Sequence, residues 1–380
     1  MATAGTTVTQ EPQWVDRICD RASREPTRSA LVGALPGEGI GPEVVGAALG
    51  ALERLEETGG RQVSVEFGGP IGKTAEREQG AALPESVLAF CEDVIGRGGA
   101  ILSGPGGGRY VYDLRLRLRL FIKVSPIQAR LGLADASPVR TQSVDGVDIL
   151  IARENLGGIY QGISDEGVAP GGGSLVEHRF SYAESDVRAF LAAAARLASS
   201  RRGELTVVLK QAGLPRLSDL WRDVATEVCR SEGVDCSFVD IDLMAYRLVE
   251  RPQAFDVVAA PNLFGDILGD LAAVLLGSRA LSFGASYDAQ GAGVYQTNHG
   301  AAYDIAGSGN ANPIGQILSL AALLRESLGY GREAWALEQG ARRVLHEGAL
   351  TADLGGTLGT DEMAARVGTA AAQLLASAPE

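Results

Sequence analysis

Two aspartates set four residues apart carry the first chemical signal in the chain. They lie in FDVVAAPNLFGDILGDLAAVLLGS, residues 255–278. Phe255 to Ala260 is a short apolar, β-branched run and reads as a buried strand. Asn262 can cap a helix there, and from Leu263 the apolar residues recur at helical spacing. Asp266 and Asp270 then project from one helix face, one turn apart. Stacked like charges are unfavourable unless a cation sits between or above them. Ile267, Leu268, Leu271 and Val274 mark the helix as largely buried. A divalent cation would resolve the repulsion, and carboxylate oxygens suit Mg²⁺ or Mn²⁺. The competing reading is a solvent-facing acidic pair on an amphipathic helix.

A second signal is cationic. Gly106 to Gly108 read as a mobile loop, and Arg109, Arg115, Arg117, Arg119 and Lys123 follow in an otherwise apolar stretch. In an acidic chain this is a candidate anion site, with arginine offering two-pronged recognition of carboxylate. Arg117 and Arg119 read as a solvated face. A third cluster closes the apolar strand Val147 to Ala152 with Arg153, Glu154 and Asn155, and the carboxyl ends of buried strands are where α/β proteins bind ligands. Gly157 and Gly158 let the backbone approach closely, and Tyr160 comes next. Lys210 ends another apolar strand, GELTVVLK. A lysine there is unusual as a purely structural residue, and a perturbed amine could serve as a general base.

The elements that must position these groups alternate. A segment starting at Ala30 and the segments 61–67, 99–105, 147–152, 203–210 and 255–260 read as strands, and helical stretches lie between them. Strands interleaved with helices imply an α/β fold with a mostly parallel sheet. Residues 165–177 are glycine-rich and turn-like, and the glycine-rich segment 284–313 leads to two closing helices. The turn Gly37-Glu38-Gly39-Ile40-Gly41 is G-x-G-x-G, not the G-x-G-x-x-G of a Rossmann site, and reads as structural. Residues 1–28 read as a loosely attached extension in which Trp14, Val15 and Ile18 could form one short helix.

The 380 residues are 46% hydrophobic and carry a net charge of −13. That charge disfavours nucleic acid and anionic membranes as partners. Four cysteines without metal spacing and three histidines argue against a disulfide framework and a histidine metal site. No run reaches transmembrane length and no signal peptide is evident, so a cytoplasmic location is expected.

Taken in order, LPGEGIGPEV, Leu114 to Phe121, RENLGGIY, Lys210, IDLMAYRLV, NLFGDILGD and HGAAYDIAGSGNANP closely resemble the β-decarboxylating dehydrogenases. These are the 3-isopropylmalate, isocitrate, homoisocitrate and tartrate enzymes, and the resemblance covers roughly residues 29–375. It implies their α/β two-domain fold, which is not a Rossmann fold. Residues 29–120 and 278–380 would form a large cofactor domain, and 121–277 a smaller domain making a homodimer contact. It implies NAD, Mg²⁺ or Mn²⁺, and a small hydroxy-acid substrate held in a cleft shared between subunits. Asp266 and Asp270 match metal ligands, with Asp242 supplied across the dimer. Tyr160 matches a catalytic acid, and Lys210 a catalytic base donated by the partner. Arg115 and Arg153 match carboxylate-binding arginines, with Asn155 beside them. His299, Gly300, Asp304, Asn312 and Asn262 match the cofactor side. Asp304 favours NAD, since a carboxylate can accept from a ribose hydroxyl and would repel a 2′-phosphate.

The departures bear on substrate. The family's LFANLRP is here LFIKVSP, so an arginine has become Ser125. Losing that guanidinium should cost a good fraction of about 1.5–3 kcal/mol of carboxylate binding. Lys123 is read as pointing to the opposite face of its strand. Arg109 sits where the substrate's variable end is read, and Tyr110 and Tyr112 add polarity there. Gln296-Thr297-Asn298 replaces Glu-Pro-Val, and Leu156 replaces a threonine. The expectation is an oxidative decarboxylase acting on a malate-type acid with a polar or anionic substituent. The alternatives are an ordinary isopropylmalate or isocitrate enzyme and a catalytically silent regulatory subunit.

Overall fold

A computed structural model describes residues 13–19, 30–129 and 137–377. Among them run strands β1 Leu31–Leu35, β2 Ser64–Phe67, β3 Ala100–Ser103, β4 Ile122–Gln128, β5 Asp148–Glu154 and β6 Ile163–Val168. They are followed by β7 Ser174–Arg179, β8 Glu204–Leu209, β9 Asp235–Asp240, β10 Val257–Ala260, β11 Phe283–Tyr287 and β12 Gly293–Thr297. All but β6 and β7 join one ten-stranded sheet in the order β2-β1-β3-β12-β11-β4-β5-β10-β8-β9. The outer groups are parallel, while the central neighbours β12–β11, β11–β4 and β4–β5 pair antiparallel. This is an α/β architecture of isocitrate/isopropylmalate dehydrogenase type, and its strand order is not that of a Rossmann sheet.

Burial explains why the strands read so clearly. β1 is buried along its whole length, as expected of a parallel strand covered on both faces. The helix Ile314–Glu326 is buried nearly all round because it lies between the sheet and the helices Gly41–Glu57 and Gly331–His346. Each fully buried leucine there contributes about 1.5–3 kcal/mol.

Several expectations are corrected. The helix Trp14–Ile18 is docked, not loose: Val15 and Ile18 are buried, and the Val15 amide donates to Glu326 Oε2 at 3.2 Å. Arg196 also donates to the Arg17 and Ile18 carbonyls. Residues 1–12 and 20–28 lie outside the described residues. Residues 163–179 form the antiparallel ribbon β6–β7 instead of a turn region, with both strands exposed along their whole length. A ribbon with no buried face leaves no apolar alternation to read. The glycine-rich segment 284–313 contains most of β11 and all of β12, and three helices close the described chain, not two.

The strands β5, β10, β8 and β9 run parallel and deliver Arg153, Asn262, Lys210 and Asp242 at or just beyond their carboxyl ends. β4 is antiparallel to β5, so its first residues lie beside the last ones of β5. Ile122 pairs with Glu154 and Lys123 with Arg153.

Candidate active site

Asp266 is a focus of contacts. It lies one turn into the helix Asn262–Ala273, which Pro261, not Asn262, precedes as cap. The Asn262 side chain is occupied otherwise. Its Oδ1 accepts from Arg153 Nε at 3.0 Å and Nη2 at 2.8 Å, and its Nδ2 donates to the Gly157 carbonyl at 2.7 Å. Arg153 Nη1 ion-pairs with Asp266 Oδ1. Tyr160 donates its hydroxyl to Asp266 Oδ2 at 2.8 Å, and the Arg153 guanidinium stacks over the Tyr160 ring at 5.4 Å. Burial opposes ionisation of Asp266, but Arg153, Tyr160, Lys123 and Arg115 outweigh it and hold the carboxyl below its usual range. The same burial, with Asp266 adjacent, pushes the Tyr160 phenol well up.

Arg115 and Lys123 face this carboxylate. Arg115 is 4% exposed, and its Nε has no hydrogen-bond partner. Burial first and Arg153 second lower its pKa to about 9. Lys123 is 8% exposed and lies well below the usual lysine range, through burial and then repulsion by Arg115 and Arg153. The expectation that Lys123 faces away is therefore wrong. Side chains alternate along a strand, so residues 123 and 125 share a face. Ser125 is buried and accepts from Asn298 Nδ2 at 3.3 Å; that amide also donates to Ser282 Oγ and to the Phe283 carbonyl.

Asp270 is gripped by Arg279, whose Nη2 donates at 2.6 Å and Nε at 3.2 Å. Nothing in the sequence reading singled out Arg279. The helix is less buried than its apolar content suggests, and Ile267 is 50% exposed. Arg109 is exposed and donates to the Tyr160 carbonyl at 3.0 Å. Tyr112 stacks on Tyr160 at 4.9 Å, whereas Tyr110 is a core residue whose hydroxyl donates to the Gly104 carbonyl. Asn155 is buried, with Nδ2 on the Leu120 carbonyl and Oδ1 unpartnered.

A cleft of about 810 Å³ opens beside Arg279 and is lined by His299, Gly300, Asn312 and Asp353. His299 is held towards the neutral form by burial, and its Nε2 has no partner. Asn312 Nδ2 donates to Asp353 at 3.0 Å while its Oδ1 accepts the Ile314 amide. Asp304 is exposed on the loop between the lining residues Ala302 and Ile305.

That loop is held by two glutamates of the glycine turn and the helix after it. Gly39, at φ 60°, brings the chain so close to Ala301 that a Cβ would sit 1.9 Å from its carbonyl oxygen. Only glycine fits there. Glu38 accepts from the Lys73 and Thr74 amides, the Gly107 amide and the Tyr303 hydroxyl. Burial notwithstanding, these donors lower its pKa to about 2. Glu43 accepts from the Gly307 and Gly309 amides. An acidic residue set between two turn glycines is the sequence signal that marks Glu38.

Lys210 and Asp242 form a separate pair, with Nζ donating to Oδ1 at 2.7 Å. Each strengthens the charge of the other: Lys210 is raised and Asp242 lowered. Among the described residues of one chain, no three histidine, cysteine or carboxylate side chains converge as a metal site. Asp242 is thus not brought to Asp266 and Asp270 within the chain.

The family described as isocitrate/isopropylmalate dehydrogenase matches residues 31–367. The 3-isopropylmalate dehydrogenase of Anaeromyxobacter dehalogenans is 37% identical over 350 residues, covering 88% of this chain and 98% of that protein. The 3-isopropylmalate dehydrogenase of Bacillus subtilis is 36% identical over 338 residues, covering 85% and 91%. The isocitrate dehydrogenase structure from Methylococcus capsulatus superposes with a TM-score of 0.81 at 29% identity, covering 90% of this chain and 99% of that one. A β-decarboxylating dehydrogenase from Thermococcus kodakarensis gives 0.73 at 28% identity, covering 91% and 97%. A match that runs from the first sheet strand into the last helix, in sequence and in fold alike, makes this chain a member of the isocitrate/isopropylmalate dehydrogenase family of β-decarboxylating dehydrogenases.

Proposed function

We propose that this enzyme carries out NAD- and divalent-metal-dependent oxidative decarboxylation of a malate-type 2-hydroxy acid whose substituent is polar or anionic. One observation carries the reading: Arg115, Lys123 and Arg153 crowd one buried site that holds Tyr160 and Asp266 but has too few carboxylates to balance them. Buried cations without counter-charge favour an anionic ligand. Arg115 and Arg153 would bind its carboxylates, with Asn155 and Ser125 beside them and Arg109 towards the variable end.

Asp266 and Asp270 fit as two ligands of Mg²⁺ or Mn²⁺, being carboxylates one helical turn apart, and Asp242 of a second subunit would be the third. When bound, the ion supplies Lewis acidity at the substrate's hydroxyl, and NAD accepts the hydride. Tyr160 OH would deliver a proton to the enolate carbon after CO₂ leaves. Lys210 Nζ would take the hydroxyl proton. Within one chain Asp242 keeps Lys210 charged. His299, Gly300, Asn312 and Asp304 would hold the dinucleotide, and Asp304 would select NAD over NADP.

A homodimer is supported by apolar side chains left exposed on two adjacent helices, Leu243, Tyr246 and Val249 beside Ile267, and by Ile163 and Val176 on the β6–β7 ribbon. A division into residues 29–120 with 278–380, and 121–277, is supported by the sheet order, in which the two sets of strands meet only at β11–β4.

The test is turnover of isopropylmalate, isocitrate, homoisocitrate, tartrate and malate with NAD and Mn²⁺. Efficient use of isopropylmalate alone would favour the activity named for the relatives and exclude a polar substituent. Binding of Mn²⁺ without turnover of any acid would indicate a silent subunit.

A further inference from the structure

Two buried cations beside Asp266 make no direct ion pair of their own. Lys123 stands directly opposite Arg153 on β4 and β5, so ammonium and guanidinium share one face. Like charges so placed destabilise a sheet. Asp266 neutralises Arg153. Lys123 and Arg115, each more than nine-tenths buried, have no carboxylate within ion-pair distance among the described residues.

The course of the lysine is built into the neighbouring strand. A Cβ on Gly284 of β11 would lie 2.8 Å from Lys123 Cε and 2.7 Å from Ser125 Oγ. Glycine therefore leaves a lane for the lysine stem. A long side chain at 125 would compete for the same space over Gly284, so the short serine and the lysine suit each other.

We propose that Lys123 is a specificity-determining cation which, with Arg115, receives one carboxylate of the substrate. The inference rests on the decarboxylase reading and deepens it. The ligand class is a 2-hydroxy acid bringing a carboxylate in addition to the one Arg153 receives, since Arg153 shares its donors with Asp266 and Asn262. An ammonium makes a point contact and not a fork, so the carboxylate at this subsite is free to rotate. Its arrival supplies the charge that Lys123 and Arg115 lack.

The experiment compares wild type with Lys123→Met, which keeps stem length and apolar volume, and with Lys123→Ala combined with Ser125→Arg, which empties the lane over Gly284 for the new guanidinium. Malate binding in the presence of Mn²⁺ is measured by calorimetry, and KM and kcat on whichever acid the wild type turns over. Lys123→Met should weaken malate and raise KM about 10- to 100-fold, with kcat, NAD affinity and the unfolding midpoint little changed. The double variant should recover part of the loss. A folded Lys123→Met with wild-type malate affinity and KM overturns the inference. Should Lys123→Met not fold, Gly284→Ala, which closes the lane, should raise KM in the same way, and an unchanged KM again overturns it. A wild type that binds malate through Lys123 yet turns over no acid would defeat the decarboxylase reading and leave the lysine subsite standing.

Discussion

Tyr160 and Asp266 are joined by a 2.8 Å hydrogen bond in which the phenol donates to Oδ2. The other oxygen of the same carboxylate takes Arg153. A proposed proton donor and a proposed metal ligand are thus one contact apart, and the carboxylate orients the phenol. Tyr160→Phe should lower kcat by about 10²–10⁴-fold while leaving KM and the unfolding midpoint nearly unchanged. Because burial and Asp266 keep the phenol protonated, any alkaline loss of wild-type activity near pH 8 should persist in form in the residual activity of the variant. Steady-state kinetics across pH checks both points.

Glu38 gives a prediction for stability. Its folded pKa of about 2 lies below the ordinary 4.5, so the unfolded chain binds the proton more readily. Its contribution is fully present above pH 4.5 and is lost as pH falls towards 2. Glu38→Gln keeps the shape but not the charge that four donors share, and should cost on the order of 1–3 kcal/mol at pH 7. The difference between variant and wild type should shrink between pH 5 and pH 3. Denaturant unfolding at several pH values measures it, and a pH-independent gap would count against the electrostatic account.

The metal proposal is testable without turnover. A ligand that binds only the folded state raises the unfolding temperature by mass action. Mn²⁺ should therefore stabilise the wild type, and Asp266→Asn and Asp270→Asn should each remove that response. Asp242→Asn should remove it too, although Asp242 contacts Lys210 and neither of the other two aspartates in the single chain. Mixing Asp242→Asn with Asp266→Asn subunits should restore one intact site in a heterodimer. A chelator that leaves turnover untouched would sink the proposal.

How far the site is legible in the residues depends on what each feature requires. Asp266 and Asp270 share a helix face by spacing alone, and Arg153 ends a strand whose apolar run is unmistakable. The Arg279 grip on Asp270 joins residues across a helix end and a loop, for which no periodicity exists. Helical spacing assigns Ile267 to the interior because it reports apolarity, not what covers the side chain; within one chain half of it stays uncovered. The strand period itself corrects Lys123, since a period of two makes it share the face of Ser125. The β6–β7 ribbon has no core face, so its pairing leaves no pattern in composition.

Asp304 tests the cofactor. It is exposed, on a loop whose backbone Glu43 pins through the Gly307 and Gly309 amides and whose Tyr303 is held by Glu38. A substitution at 304 should therefore leave the loop in place and change only what its tip presents. The carboxylate would accept from a ribose hydroxyl and repel a 2′-phosphate. Asp304→Lys reverses the sign of that interaction, so kcat/KM for NAD should fall and that for NADP rise, moving their ratio by about 100-fold or more. Most of the change should appear in KM, because the substrate-side residues Arg115, Lys123 and Tyr160 make no contact with residue 304 among those described. Kinetics with both dinucleotides decide it. A variant that keeps the wild-type preference would place cofactor selection elsewhere on the cleft wall.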